Sequence, residues 1–389
     1  MYSYGNDRNA FWISCLADPV RCPITKERNL TMKKKLSMLL ALVLALALCL
    51  TACGGNSGGS IADTPAEAPA ETETPAEAPA EEAPAAEEPA EAPAETPSAD
   101  LTFATGSSTG TYYGFGGVIA QDVSANTNVN VTAISSDGSK ANILMLESGD
   151  AQLGFSQSDV MAYAYNGTST FAEEGAVEGF STVAALYMEA VQIVTCNPDI
   201  KTVADLAGKK VSIGAAGSGV YFNAIDILGA YGLTEDDITA NYMNFNDSAD
   251  SLTDGTIDAA FIVAGAPTTA ITSLAATKDV YLVSIDAEHA AALIEASPYY
   301  SAYTVPADAY GLDADVETVA VSAVVLARDD VPADVIYAFT ADVFSNASTL
   351  AHDKAKELSV DFAASVTAVP YHPGAAQYFA EQGITVPTK

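Results

Sequence analysis

Residues 54–100 constrain the fold of this 389-residue chain most, because they cannot form a packed domain of their own. They begin with GGNSGGS and continue as a near-repeat of Ala, Pro and Glu, in which Ile61 is the one bulky aliphatic residue and no aromatic residue occurs. So little apolar surface cannot offset the entropy lost on folding, and frequent Pro with like charges keeps a chain extended. We predict a disordered tether over 54–100, which leaves residues 101–389 for the fold.

The segment before the tether has the layout of a signal peptide. The basic cluster 33–35 precedes a 12-residue apolar run, 39–50, which ends at Leu-Thr-Ala-Cys with Cys53. The run is short for a membrane-spanning helix, which needs about 20 residues. We predict a lipoprotein signal peptide over 32–53, with Cys53 of this lipobox-like end lipidated and anchoring an extracytoplasmic protein to the bacterial cell membrane; an uncleaved anchor is the alternative. Residues 1–31 are interpreted as a mis-assigned upstream extension.

The charge of the chain argues against a nucleic-acid partner. The 16 Lys and Arg residues face 50 Asp and Glu, a net charge of −34. Three of the acids lie in residues 1–35 and twelve in 61–100, which leaves 35 acids against nine bases for 101–389. Such a domain repels a phosphate backbone. Its one arginine, Arg328, is interpreted as part of a surface ion pair beside two aspartates, with a carboxylate clamp as the alternative.

From residue 101 onward, short apolar runs alternate with stretches of helical period. The predicted strands are 101–105, 129–135, 151–156, 183–196, 210–215, 258–264, 280–286 and 318–327. The predicted helices are 112–125, 140–147, 220–231, 269–276, 287–295 and 334–346. This alternation, with strands rich in β-branched residues, favours an α/β fold with a mostly parallel sheet covered on both faces.

The length of the folded part predicts two lobes, because 289 residues are many for a single hydrophobic core. Two of the predicted strands, 183–196 and 318–327, are unusually long, which suits strands that cross between lobes. We therefore predict the first part of lobe 1 over 101–190 and lobe 2 over 191–300. The return crossing and the remainder of lobe 1 are assigned to 301–389.

Several turns offer backbone amides and hydroxyls where a strand ends and a helix begins. Residues 106–114 read GSSTGTYYG and include Ser107, and residues 214–221 read GAAGSGVY. Ligands of α/β sheets gather at such junctions, where free amides and the helix dipole favour an anion. The turns 157–159 and 265–267 also follow predicted strands. Ordinary turns and helix caps are the alternative for each segment.

Two residues of the first long strand are further candidates for the cleft. Tyr187 and Glu189 face a ligand in one interpretation, in which Glu189 receives an ammonium group; packing in the core or hinge is the alternative. The histidines lack the spacing of metal ligands, and no G-x-S-x-G elbow occurs. We expect no metal, no cofactor and no enzymatic activity.

An ordered set of motifs resembles the solute-binding subunits of TAXI-type TRAP transporters. The resemblance lies in LTFATGSSTGTYYGFGGVIAQ, SSDGSKANILMLESGDAQLGFSQSDVMAYAYNG, KTVADLAGKKVSIGAAGSGVYFNAIDILGAYGL, DAAFIVAGAPTTAI, VAVSAVVLARDDVPADVIYAF and YHPGAAQYF, and it covers essentially all of 101–389. It implies a type II periplasmic-binding-protein fold, whose two lobes close over a ligand cleft. It also implies a small organic acid as solute, typically glutamate or glutamine, which is passed to an ion-gradient-driven permease.

The resemblance also implies a set of ligand-binding residues. They belong to its Gly-Thr-Tyr-Tyr, Gln-Ser-Asp, Gly-Ser-Gly and Gly-x-Pro segments: Thr111, Tyr112, Tyr113, Gln157, Ser158, Asp159, Gly217, Ser218, Gly219, Gly265, Ala266 and Pro267. The chain departs from the family pattern at Gly114, where Pro is common, and at Lys140-Ala141, where Val-Glu is common. These departures bear on the solute more than on the fold.

The sequence thus predicts a lipid-anchored receptor for a small carboxylate or amino acid. Its expected partners are the solute, the TRAP membrane permease subunits and, through Cys53, the membrane. A binding lipoprotein of an ABC-type importer is the first alternative, and a surface enzyme is the second. The scarcity of arginine predicts that backbone amides and hydroxyls hold the carboxylate of the solute.

Overall fold

The computed structural model describes residues 97–389, which belong to one compact unit, Pro89–Lys389. The predicted upstream extension, the signal peptide, Cys53 and the tether up to residue 96 lie outside the described residues. The first strand begins at Ala99 and so includes the last two residues of the predicted tether, because Ala99 and Asp100 pair with Val129 and Asn130. Within residues 97–389, no helix combines the length and the apolar character needed to cross a membrane.

Ten strands and ten α-helices make up the described part of the chain. The strands are β1 Ala99–Ala104, β2 Val129–Ile134, β3 Leu153–Gln157, β4 Phe180–Thr195, β5 Lys210–Ser212, β6 Thr239–Asn241, β7 Ala259–Ala264, β8 Tyr281–Val283, β9 Ser301–Val305 and β10 Val316–Arg328. The helices are α1 Thr111–Asn126, α2 Ser139–Ser148, α3 Ser158–Asn166, α4 Gly219–Ala230, α5 Phe245–Thr253, α6 Thr269–Ala275, α7 Ala287–Ala296, α8 Ala333–Ser345, α9 Val360–Ala363 and α10 Pro373–Glu381.

The sheet has the same strand order at both of its ends. In one lobe the order is β2-β1-β3-β10, and in the other it is β6-β5-β7-β4. Each group is a parallel trio flanked by one antiparallel strand that arrives from the other lobe. The predicted α/β class, with a sheet that divides into two lobes, is confirmed.

The prediction of a mostly parallel sheet was wrong. Every pairing of β4 or β10 with another strand is antiparallel, including their long mutual pairing from Ala190 with Ala320 to Phe180 with Arg328. The physical reason is that these two strands run through both lobes in opposite directions. Strand β4 pairs with β10 up to Ala190 and with β7 from Ala190 onward. The two lobes are therefore joined by a hinge of two strands near Glu189. The predicted lobe ranges stay a prediction.

Each lobe has apolar cores on the two faces of its sheet. In lobe 1, one core surrounds Phe103, Phe115 and Phe339, and the other surrounds Phe171 and Phe180. In lobe 2, one core joins α4 and α7 to the sheet and the other joins α6 to it. Burial on both faces explains why the strands carry nearly continuous apolar runs.

Glycine lets α1 approach the sheet of lobe 1 closely, although glycine normally weakens a helix. A Cβ on Gly116 would lie 2.9 Å from Cγ2 of Thr105 and 3.2 Å from the ring of Phe155. The close approach fixes the start of α1 directly beside the ends of β1 and β3. This packing positions the junction at Thr111 for the site described next.

Candidate functional site

A cavity between the two lobes collects the ends of the strands and the starts of four helices. The helices α1, α2, α4 and α5 all begin at its wall, with Thr111, Ser139, Gly219 and Phe245 as their first residues. The closed cavity has a volume of about 50 Å³. That is the room of about four ordered water molecules, which suits a small solute.

The convergence of helix starts brings partial positive charge to the cavity wall. The first backbone amides of a helix have no partner within the helix, and the helix dipole adds partial positive charge there. Two of the helices begin in lobe 1 and two in lobe 2. An anion in the cavity would therefore interact with both lobes at once.

On the lobe 1 side, Tyr112 occupies the first turn of α1 and reaches into the cavity. Its ring stacks on Phe155 at a centroid distance of 4.5 Å and an angle of 7°, which fixes its position. Its hydroxyl is buried without a hydrogen-bond partner. Burial, followed by the charge of Glu189, raises the pKa of Tyr112 well above its ordinary value, so the hydroxyl keeps its proton and can donate it.

Glu189, on β4 at the hinge, is the buried carboxyl group of the cavity. Its side chain is 1% exposed, Oε2 accepts a hydrogen bond of 3.4 Å from Nε2 of Gln157, and Oε1 has no partner. Burial raises the pKa of Glu189 to about 8, against the opposing effects of Tyr112, Gln157 and Lys354. A cation that binds beside this carboxyl group would lower its pKa, so the group would lose its proton and form an ion pair.

Unpartnered polar atoms cluster around this cavity. They are Oγ of Ser107, the hydroxyls of Tyr112 and Tyr187, Oε1 of Gln157 and Oε1 of Glu189. Buried polar groups normally have hydrogen-bond partners, since leaving one without costs about 1–3 kcal/mol. Five such atoms around one cavity, three hydroxyl donors and two acceptors, indicate a surface built to bind a polar molecule.

On the lobe 2 side, the turn before α4 brings backbone into contact with lobe 1. Oγ of Ser218 accepts from the N–H of Tyr221 at 3.3 Å and so caps the helix. Gly219 has no room for a side chain, because a Cβ there would lie 1.8 Å from Oε1 of Gln157. Phe245 covers the opposite edge, where a Cβ on Gly110 would lie 3.2 Å from its ring.

The lobes are closed, since hydrogen bonds join them directly. The N–H of Ala141 donates to the carbonyl of Gly217 at 3.0 Å, and the N–H of Ala270 donates to the carbonyl of Thr109 at 3.1 Å. Oγ1 of Thr111 donates to the carbonyl of Gly265 at 3.2 Å. These contacts come from the same turns that surround the cavity. Closing the lobes therefore also encloses the cavity.

The structure brings part of the predicted site together. Eight of the predicted residues line the cavity: Ser107, Thr111, Tyr112, Gln157, Tyr187, Glu189, Ser218 and Gly219. Seven do not: Tyr113, Ser158, Asp159, Gly217, Gly265, Ala266 and Pro267.

The seven residues outside the cavity have other surroundings. Tyr113 is 39% exposed, because the next residue of a helix points about 100° away from Tyr112. Ser158 accepts from the N–H of Ser322 at 3.3 Å, and Asp159 is fully buried against lobe 2. Gly217 and Gly265 contribute the interlobe contacts named above. Ala266 and Pro267 form a cis peptide bond at the edge of lobe 2.

Two parts of the cavity wall had not been predicted from the sequence. Residues 136–139, which read SDGS, precede α2, and residues 243–245 precede and start α5. The first segment carried the same signal as the predicted turns, a strand followed by Gly and Ser at a helix start. The second carried little signal, because β6 has three residues and α5 is a polar helix that the sequence did not predict.

The scarce basic residues lie outside the cavity. Arg328 pairs with the exposed Asp330 at the end of β10, which agrees with the surface ion pair preferred from the sequence. Nζ of Lys140 lies 2.7 Å from Oε1 of Glu174, and the buried Lys354 pairs with Glu357. Within residues 97–389, no cluster of three or more His, Cys, Asp and Glu side chains is arranged to hold a metal ion.

Comparison with known proteins gives a family match and several similar folds. A model described as the NMT1-like family matches residues 103–383. The periplasmic aliphatic sulphonate binding protein SsuA from Escherichia coli is 16% identical over 74% of this chain and 84% of its own, with a TM-score of 0.39. A histidine-bound ABC uptake transporter substrate binding protein from Streptococcus pneumoniae is 17% identical over 75% and 95%, with a TM-score of 0.40. A putative L-cystine ABC transporter from Listeria monocytogenes is 16% identical over 68% and 98%, with a TM-score of 0.40.

Proposed function

The chain belongs to the NMT1-like family, and on this premise we propose that it is a solute-binding protein that closes over a small zwitterionic solute and delivers it to a membrane importer. One observation carries the proposal: four helix starts, two from each lobe, converge on a cavity that also holds a buried carboxyl group with one unpartnered oxygen, Oε1 of Glu189. Such a cavity offers an anion and a cation separate positions. The free energy of binding then holds the lobes together.

The carboxylate of the solute binds at the helix starts. Backbone amides at Gly219 and Ser139, together with the hydroxyls of Ser107 and Tyr112, are the donors that this position supplies. No arginine lies in the cavity wall, so the position is selective for a single carboxylate held by dipoles. An amino group of the solute donates to Oε1 of Glu189 and Oε1 of Gln157.

The solute is accordingly a small amino acid or a related compound, since the closed cavity has room for only about four ordered water molecules. A dicarboxylate without an amine would bury a second negative charge in a cavity whose wall has no Lys or Arg to pair with it, which is unfavourable. A small carboxylate without an amine leaves the two acceptors unpartnered and binds more weakly. The cavity wall contains no His, Cys or Lys, so a Ser-His or Cys-His nucleophile pair is not formed in it, and the proposal assigns it no catalysis.

The importer is of the ABC type in the preferred form of this proposal. The similar structures named above include a substrate binding protein of an ABC uptake transporter. An ion-gradient-driven TRAP permease is the second form. The two are separated by deleting the neighbouring permease genes in turn, or by measuring uptake with the ion gradient collapsed while ATP is maintained.

The protein acts outside the cytoplasm, held at the membrane by a lipid on Cys53. This part of the proposal rests on the sequence of the signal peptide and its lipobox-like end. Metabolic labelling with an alkyne fatty acid tests it. We expect the wild-type chain to incorporate the label and the Cys53→Ala variant not to. Labelling of both would contradict lipidation at Cys53 and would leave the proposed binding function unaffected.

Native mass spectrometry of the protein purified without denaturation tests the binding function. We expect one bound metabolite with a mass below about 250 Da that carries both a carboxylate and an amine. The same compound, added back to protein stripped by partial unfolding and refolding, binds with one site per chain in calorimetry. A bound compound without an amine, or the absence of binding by a panel of amino acids, contradicts the proposal.

A further inference from the structure

A fully buried carboxyl group joins the lobes at a place separate from the cavity wall. Asp159 lies in the first turn of α3 in lobe 1 and has no exposed surface. Its Oδ2 accepts a hydrogen bond of 3.1 Å from Nδ2 of Asn223, which lies on α4 in lobe 2. Its Oδ1 has no partner. The contact exists only while the lobes are closed.

The contact continues into lobe 2 through two further hydrogen bonds. Nδ2 of Asn223 also donates to the hydroxyl of Tyr300 at 2.8 Å, and that hydroxyl donates to Oδ2 of Asp226 at 3.0 Å. Oδ1 of Asn223 has no partner. Two carboxyl groups, one from each lobe, are therefore connected through one amide and one hydroxyl.

No base balances these carboxyl groups. The titratable groups that face Asp159 are Tyr163 on its own helix, Asp226 on α4, Tyr299 and Tyr300 before β9, and Glu189 on β4. All of them are acids. None of the ion pairs within residues 97–389 includes Asp159 or Asp226. Two ionised carboxylates in this buried contact would repel each other.

We propose that closure of the lobes takes up a proton on Asp159, so that mild acid stabilises the closed form and mild base opens it. A protonated Asp159 has a hydrogen to donate. With the oxygen and nitrogen of the Asn223 amide interchanged, the same 3.1 Å contact becomes a hydrogen bond from the carboxylic acid to Oδ1 of Asn223. The proposal concerns closure alone and does not depend on which solute binds.

The direction of the pH effect follows from the two states of the lobes. In the closed form, burial raises the pKa of Asp159 from 3.8 to about 7, with the charge of Asp226 adding to the increase and hydrogen bonds opposing it. In the open form, Asn223 moves away with lobe 2 and solvent reaches the carboxyl group, which returns towards its ordinary value. Between these values the closed form binds more protons, so the ratio of closed to open molecules falls as the pH rises through about 7.

Pulsed-EPR distances between the lobes test this inference on the full chain without solute. Spin labels attached through bio-orthogonal residues at the exposed positions Gln121 on α1 and Glu295 on α7 report the closed and open populations. In a Glu189→Gln background, which removes the titration of the carboxyl group in the cavity, we expect the closed-to-open ratio to fall about tenfold between pH 6 and pH 8. In the Asp159→Asn variant, which mimics the protonated group, the ratio stays constant over this range.

The matched control is Asp236→Asn, an exposed aspartate of lobe 2, which keeps the tenfold change. If Asp159→Asn does not fold, Asn223→Ala serves instead, since it removes the acceptor in lobe 2 and leaves the molecule open at both pH values. A ratio that does not change between pH 6 and pH 8 overturns the inference. So does an Asp159→Asn variant that responds to pH like the parent. Either result leaves the binding function standing, because no solute is used.

Discussion

The two walls of the cavity differ in what they offer a ligand. The wall from lobe 1 and the hinge carries all five unpartnered polar atoms, which belong to Ser107, Tyr112, Gln157, Tyr187 and Glu189. The wall from lobe 2 consists of a tight glycine turn, two helix starts and apolar side chains. Recognition chemistry is therefore concentrated in one lobe, and the other lobe supplies shape and dipoles.

This difference indicates an order of events in binding. On the proposed function, a solute meets the polar groups of lobe 1 first, and the stacking of Tyr112 on Phe155, which lies within lobe 1, holds the Tyr112 ring in place. Lobe 2 then closes through contacts that involve backbone more than side chains, such as the hydrogen bond from Thr111 to the carbonyl of Gly265. Changes in lobe 2 should block closure, whereas changes in lobe 1 should alter selectivity.

The largest effect is expected from Gly219→Val in lobe 2. The new side chain would occupy the position of Oε1 of Gln157, so the lobes cannot close and the affinity for the co-purified solute falls at least a hundredfold in calorimetry. The fold is retained, because the clash exists only in the closed form. Gly229→Val is the matched control on the same helix, with no atom within 4 Å of its Cβ position. Equal affinity in both variants would refute the role of lobe 2 in closure.

The second expected effect concerns stability and pH. The pKa of Glu189 in the folded protein is about 8, above the ordinary 4.5, so the folded state holds a proton that the unfolded chain releases. The contribution of this group is therefore most favourable below about pH 4.5 and declines as the pH rises towards 8, by up to about 3 kcal/mol between pH 5 and 8. Urea unfolding should show this decline, and Glu189→Gln should reduce it, leaving the smaller decline that the raised pKa of Asp159 causes over the same range. A variant with the parental slope would contradict the assignment.

The binding effect of Glu189→Gln comes next in size. The amide still accepts a hydrogen bond but has no charge for an ammonium group, so we expect the affinity for an amino acid to fall by about 2 kcal/mol, roughly thirtyfold. The affinity for a carboxylate of the same size without an amine should fall little. The informative quantity is therefore the ratio of the affinity for the amino acid to the affinity for this carboxylate. Glu147→Gln, on the exposed face of α2, is the control. An equal loss of affinity for both solutes would mean that Glu189 affects the shape of the cavity and does not interact with the ammonium group.

Local signals in the sequence predicted the parts of this site that depend on one junction at a time. Ser107 and Thr111 follow β1, and Ser218 and Gly219 start α4, so a strand, a glycine turn and a helix start were enough to locate them. Phe245 and Asp159 depend on how the lobes meet. The burial of Asp159 by α4 joins residues 64 positions apart, and no local pattern records such a contact.

The smallest effect is expected from Arg328→Ala. If Arg328 bound the carboxylate of the solute, this substitution would instead have the largest effect. Arginine is the usual residue for binding a carboxylate through two parallel hydrogen bonds, and Arg328 is the one arginine after residue 100. Its guanidinium is instead paired with Asp330 at the surface, where an ion pair contributes about 0–1 kcal/mol. We expect the affinity for the solute to change less than twofold and the unfolding midpoint to shift slightly. A loss of binding comparable to that of Glu189→Gln would show that Arg328 reaches the solute in a state of the lobes other than the closed one, and would move the position of the carboxylate away from the helix starts.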